Sequence, residues 1–87
     1  MIREIILERY KNFDVGDVYH HLVHDFYVYI FIDEFNNYSK IDEIKSLIEF
    51  FGGNLTLTSV KDLLMASNFK TKEQAIYFRE TLIMEYG

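Results

Sequence analysis

The sequence predicts an α+β fold: a small two-layer domain, antiparallel-rich in its sheet, with two helices on one face. Three observations carry this. Asp25-Phe-Tyr-Val-Tyr-Ile-Phe-Ile-Asp33 is the most apolar run, built of aromatic and β-branched residues that suit a pleated strand. Ser39 to Gly53 reads as a capped amphipathic helix, and Asn54 to Ser59 alternates as a half-buried strand. The chain has 87 residues, no cysteine and a 49% hydrophobic fraction, which describes one domain, 1–87, with neither disorder nor a disulfide framework.

Taken in order, Met1 to Tyr10 admits two readings. As a helix, Ile2, Ile5, Ile6 and Tyr10 share a face; as a strand the alternation is less regular, and the helix is preferred. Lys11 to Gly16 has the turn chemistry of Asn12, Asp14 and Gly16 and is expected to be a loop. Val18 to Asp25 leads into the apolar run either as one long bent strand or, if the chain breaks near His24-Asp25, as a hairpin. Asn36-Asn37 marks a turn.

Ser39 is the expected N-cap of the first helix. Asp42 and Glu43 suit its positive end, Ile41, Ile44, Leu47, Ile48 and Phe51 form its apolar stripe, and Gly52-Gly53 stops it. After the Asn54–Ser59 strand, a turn around Val60 to Asp62 leads to Leu63-Leu64-Met65-Ala66 as the hairpin partner. Thr71 and Gln74 form a capping box for the last helix, in which Ala75, Phe78, Leu82 and Ile83 face inward. Ile76, Tyr77, Met84 and Tyr86 widen its apolar surface, so that helix is either deeply buried or meets another chain. The order strand, helix, strand, strand, helix resembles the βαββα core of ferredoxin-like folds, with the N-terminal element, helix or strand, left to stand for the missing final strand. That resemblance implies no function.

Charge is regional. Between Phe13 and Glu43 the acids are Asp14, Asp17, Asp25, Asp33, Glu34, Asp42 and Glu43, against Lys40 alone. A negative field disfavours direct binding of nucleic acid and favours a basic protein partner. On the central strand, Val28, Ile30 and Ile32 are expected to point inward, leaving Tyr27, Tyr29 and Phe31 outward as a hydrophobic anchor for a partner or a second copy. The competing reading is that the N-terminal element covers that row.

Catalytic chemistry has little footing. There is no thiol and no Gly-rich phosphate cradle, and the carboxylates show no spacing that demands acid–base work. On a helix, Asp17, His21 and His24 would share a face as metal ligands. On a strand, His20 and His24 lie about 13 Å apart, too far to share one ion. The strand context is preferred, so no metal and no cofactor are expected. With no membrane span and no leader visible, the expected place is the cytoplasm, and a membrane partner is not expected.

The reading reached is a small acidic, non-enzymatic protein-binding module, with Asp14, Asp17, Asp25, Tyr27, Tyr29, Phe31, Asp33, Glu34, Asp42 and Glu43 at its partner surface. Its narrower form is an inhibitor of phage type, whose spaced carboxylates mimic a nucleic-acid backbone and block a basic host protein. The alternative is a structural homodimer whose acidity serves solubility alone.

Overall fold

In a computed structural model, which describes residues 6–10, 13–32 and 40–86, five strands form one antiparallel sheet. They are β1 (Glu8–Arg9), β2 (Phe13–His21), β3 (Asp25–Ile32), β4 (Asn54–Leu57) and β5 (Leu63–Phe69), in the spatial order β1-β2-β3-β5-β4. Two helices, α1 (Ile41–Phe50) and α2 (Lys72–Tyr86), complete the fold. Every pairing is antiparallel. Since β5 runs antiparallel to both its neighbours, β3 and β4 run parallel to each other without touching, joined through α1.

The Val18–Asp25 stretch takes the hairpin form. β2 meets β3 in a register that pairs Phe13 with Ile32 and His21 with Asp25, with a bulge between Val15 and Val18. The extra residues Gly16 and Asp17 keep Val15 and Val18 on the same face of the sheet. His24 ends the turn and Asp25 sits in the left-handed region at φ 53°. Two expectations are corrected here. Phe13 to Gly16 is strand and not loop, and Glu8–Arg9, expected within a helix, is a short strand paired with Val15 and Asp14. Turn-type residues lost to the ladder because the bulge accommodates Gly16 and Asp17 within a strand. Among the described residues three strands therefore precede α1, and the ferredoxin-like βαββα order is not confirmed. Asn36-Asn37, like Ser39, lies outside the described residues.

Residues of one parity on β3, namely Val28, Ile30 and Ile32, are buried, as the alternation predicts. They meet Ile44 and Ile48 of α1 and Ala75, Phe78 and Leu82 of α2 in a single core, so both helices cover the same face. Helix α1 begins after Lys40, which stands at the N-cap with no side-chain cap bond. Its other end matches the glycine stop: Gly52 at φ 90° donates its N–H to Glu49 O at 3.0 Å, and Gly53 donates to Ile48 O at 2.9 Å. Helix α2 opens on the expected box. Gln74 N–H donates to Thr71 Oγ1 at 3.2 Å, and Thr71 N–H donates to Gln74 Oε1 at 3.0 Å. Arg79, on α2, crosses to the sheet: its Nε donates to Gly16 O at 2.7 Å and a terminal nitrogen lies 3.3 Å from Glu8. Lys40 sits 5.5 Å from the centre of the Tyr86 ring, linking the start of α1 to the end of α2. No helix among the described residues is long and apolar enough to cross a membrane.

Candidate partner-binding surfaces

The face of the sheet opposite the helices is built from every second residue of each strand. Across it run Asp14, Phe31 and Leu63 in one row, and Tyr29 and Met65 with Thr56 in the next. Tyr19 and Tyr27 form a third pair. The rings of Tyr27 and Tyr29 meet edge to face at 5.5 Å. Tyr27, Tyr29 and Phe31 thus share this face, as the strand pattern requires, yet all three are half-buried and not open. Leu63 and Met65 beside them are only 5% exposed. Leu7 reaches the same face. Its Cδ2 and the Tyr29 Cβ each lie 3.6 Å from where a side chain on Gly16 would begin. The aromatic row is a tightly neighboured surface, with less free apolar area than the sequence suggests.

The acids are distributed along the molecule. Asp14 lies on β2 beside Phe31, with Arg9 3.7 Å from its carboxylate. Asp17 is exposed in the bulge and accepts the Val18 N–H at 2.8 Å, a bond that fixes the local turn. Asp25 stands at the other end of β3, about 20 Å from the Asp14 row at 3.3 Å per residue. Asp42 and Glu43 are exposed in the first turn of α1. Asp33 and Glu34 lie outside the described residues. Asp42 and Glu43 are adjacent in the chain, and Glu43 joins Glu85 in acting on the Tyr86 phenol.

At the tip of the β2–β3 hairpin the histidines come together by a route the sequence left open. His21 and His24 face each other with ring centres 5.5 Å apart, and His21 Nδ1 accepts the Val23 N–H at 3.0 Å. His20 turns to Phe26 at 4.7 Å and His24 to Tyr27 at 6.1 Å. Among the described residues no group of three or more histidines and acids is placed to hold a metal ion. The tip is anchored to β5, where Asn68, at φ 64°, donates its N–H to His24 O at 2.7 Å. Two of the serine hydroxyls have structural partners: Ser46 donates to Asp42 O at 3.0 Å, and Ser67 lies 3.0 Å from Thr56 Oγ1.

The sequence pointed to Tyr77 and Met84 as extra apolar surface on the last helix but not to Leu22 or Phe50. Leu22, in the stretch read as either a long bent strand or a hairpin, is in the hairpin turn and 92% exposed. Phe50, at the last turn of α1, is 80% exposed, and Tyr77 and Met84 on α2 are 57% and 83% exposed. The signal for Phe50 was present, since it falls off the stripe of Ile41, Ile44, Leu47, Ile48 and Phe51. A cavity of about 250 Å³ opens at the end of the sheet between Ile32, Ile41, Leu57 and Val60. It is lined chiefly by apolar side chains. Two tyrosines are held in their neutral form. The bond that Tyr10 donates to Glu8 at 2.9 Å raises its pKa above 10.0, and burial, with Glu43 and Glu85 adding to it, raises that of Tyr86. Comparison of the chain with protein-family models, with curated proteins and with solved structures gives no match.

Proposed function

We propose that this chain is a non-enzymatic protein-binding module, acting inside the cell on a partner with a basic surface. The observation that supports it is the exposure of large apolar side chains outside the core, Leu22, Phe50, Tyr77 and Met84, on a domain whose net charge is −5. Scattered single apolar residues are ordinary on a surface. Here two of them lie on one helix among carboxylates, which is the composition of an interface: apolar anchors within a charged rim. The field of the acids would speed association with a cationic partner and would be screened by salt.

Mimicry of a nucleic-acid backbone is the narrower form of this reading. It needs a row of carboxylates spaced along one surface. Asp14, Asp17 and Asp25 are instead divided between the ends of the hairpin, and Asp14 has Arg9 beside it. Binding to a basic protein surface makes no such demand, so the broader form is the one proposed.

The test is capture of partners from cells that naturally make the chain, at low and high salt. The bait is either the wild-type chain or a variant carrying Asp17→Asn, Asp42→Asn and Glu43→Gln. A basic protein retained at low salt by the wild type, and lost both at high salt and with the neutralised variant, supports the reading. Equal capture by both baits removes the electrostatic part. Bait recovered alone, with a solution mass twice that of the monomer, replaces the reading with the homodimer.

A further inference from the structure

Helix α2 has two working faces. One carries Ala75, Phe78 and Leu82 into the core. On the side turned away from the sheet stand Glu73, Tyr77, Glu80 and Met84, all exposed. Their offsets of four, three and four residues align them in one stripe along the helix, about 16 Å long at 1.5 Å per residue. Tyr77 and Met84 break what is otherwise the polar outer face of an amphipathic helix. The alternation is specific: acid, apolar, acid, apolar, at the spacing with which one helix receives the side chains of another.

We infer that this outward face of α2 is a docking site for a basic amphipathic helix, one whose apolar side chains cover Tyr77 and Met84 while its Lys or Arg side chains meet Glu73 and Glu80. The inference rests on the protein-binding reading above and names the surface and the partner class. Other occupants fit less well. A second copy of α2, related by a two-fold axis through the middle of the stripe, would set Glu80 against Tyr77 and Glu73 against Met84, covering each carboxylate with an apolar side chain and no cation to pair it. Nucleic acid and anionic membrane meet the same carboxylates with the same sign of charge. An extended strand would find no ladder to join, because the backbone of a helix is already hydrogen-bonded.

The test is titration of the full chain, labelled for NMR, with a synthetic amphipathic helix of about 20 residues bearing Leu on one stripe and Lys around it. A matched peptide with Glu in place of Lys is the control. The expected result is that amide shifts concentrate at Glu73, Tyr77, Glu80 and Met84. The double variant Glu73→Lys, Glu80→Lys, whose altered side chains are exposed, should bind the Lys peptide at least tenfold more weakly and gain affinity for the Glu peptide. Met84→Asp should weaken both. Equal binding of the Lys peptide by wild type and charge-reversed chain overturns the assignment, as does absence of binding to the wild type. Shifts confined to the hairpin tip or to the first turn of α1 overturn this surface but leave the broader protein-binding reading standing. Self-association abolished by Met84→Asp would assign the face to a second copy instead.

Discussion

Replacing Gly53 by Ala tests how tightly the end of α1 is fitted onto β5. A Cβ built at Gly53 would lie 2.7 Å from two carbons of the Phe69 ring and 2.9 Å from Ser67 O. Neither neighbour can retreat freely. Phe69 is fully buried and stacked on Phe78 at 5.3 Å, and Ser67 O belongs to the backbone of β5. Overpacking of this kind costs about 1–3 kcal/mol, and contact with two rigid neighbours places Gly53→Ala toward the upper end. Gly52 is the opposite case. Its φ of 90° strains any other residue, at about 1–2 kcal/mol, but its nearest neighbour is the flexible Gln74 amide at 3.1 Å. Gly53→Ala should therefore be the more damaging, although Gly52 alone has the left-handed backbone. Urea unfolding measures both, with the slope unchanged if only stability moves. For a domain this size a loss of about 2 kcal/mol lowers Tm by roughly 8–16 °C. Adding Phe69→Leu to Gly53→Ala removes the ring contact but leaves Ser67 O, so it should relieve only part of the strain. A Gly53→Ala cost below about 0.5 kcal/mol, or a larger one for Gly52→Ala, would refute the packing argument.

Three further outcomes are expected. Thr71→Ala removes the acceptor for the Gln74 N–H and should cost about 0.5–2 kcal/mol in urea unfolding, with Thr71→Ser close to wild type. Phe78→Ala empties a site shared by both helices and the sheet, and should cost about 3–5 kcal/mol by the same assay. With Tyr10 and Tyr86 raised above 10.0 when folded, the stability they contribute is complete below pH 10 and is lost as pH climbs through their folded values. Ultraviolet titration of the native chain should show Tyr10 and Tyr86 ionising late, and Glu8→Gln should bring Tyr10 earlier.

Local chemistry made the helices legible. Thr71 with Gln74, and Gly52 with Gly53, perform the capping and stopping that their spacing implies, and the Val28, Ile30, Ile32 parity places the helices on one face. The first strands were not legible, because Asp14, Gly16 and Asp17 are turn formers by composition. Their place in a strand depends on a bulge and on long-range partners: β3 across the ladder and Arg79, whose bond to Gly16 O spans 63 positions. A local window contains neither. The candidate surface was partly legible for the same reason. Parity assigned Tyr27, Tyr29 and Phe31 to the outer face, but parity does not report that Leu7 and the side chains of β5 crowd it.

The two faces of the molecule differ in what they leave for a partner. On the sheet side, aromatic rings sit among Leu63 and Met65 and are half-buried within their own chain, so their substitution would disturb the domain as well as any contact. On the helix side, Tyr77 and Met84 contribute little to the core, which Ala75, Phe78 and Leu82 already fill. A residue that does no structural work can be changed without unfolding the domain, and Tyr77→Ala should leave the urea midpoint within about 0.5 kcal/mol of wild type. This separation makes the helix side the sharper place to look for function: there a loss of binding cannot be mistaken for a loss of fold. If Tyr77→Ala instead destabilised the chain by 2 kcal/mol or more, the face would belong to the architecture, and the argument for a partner on α2 would lose its basis.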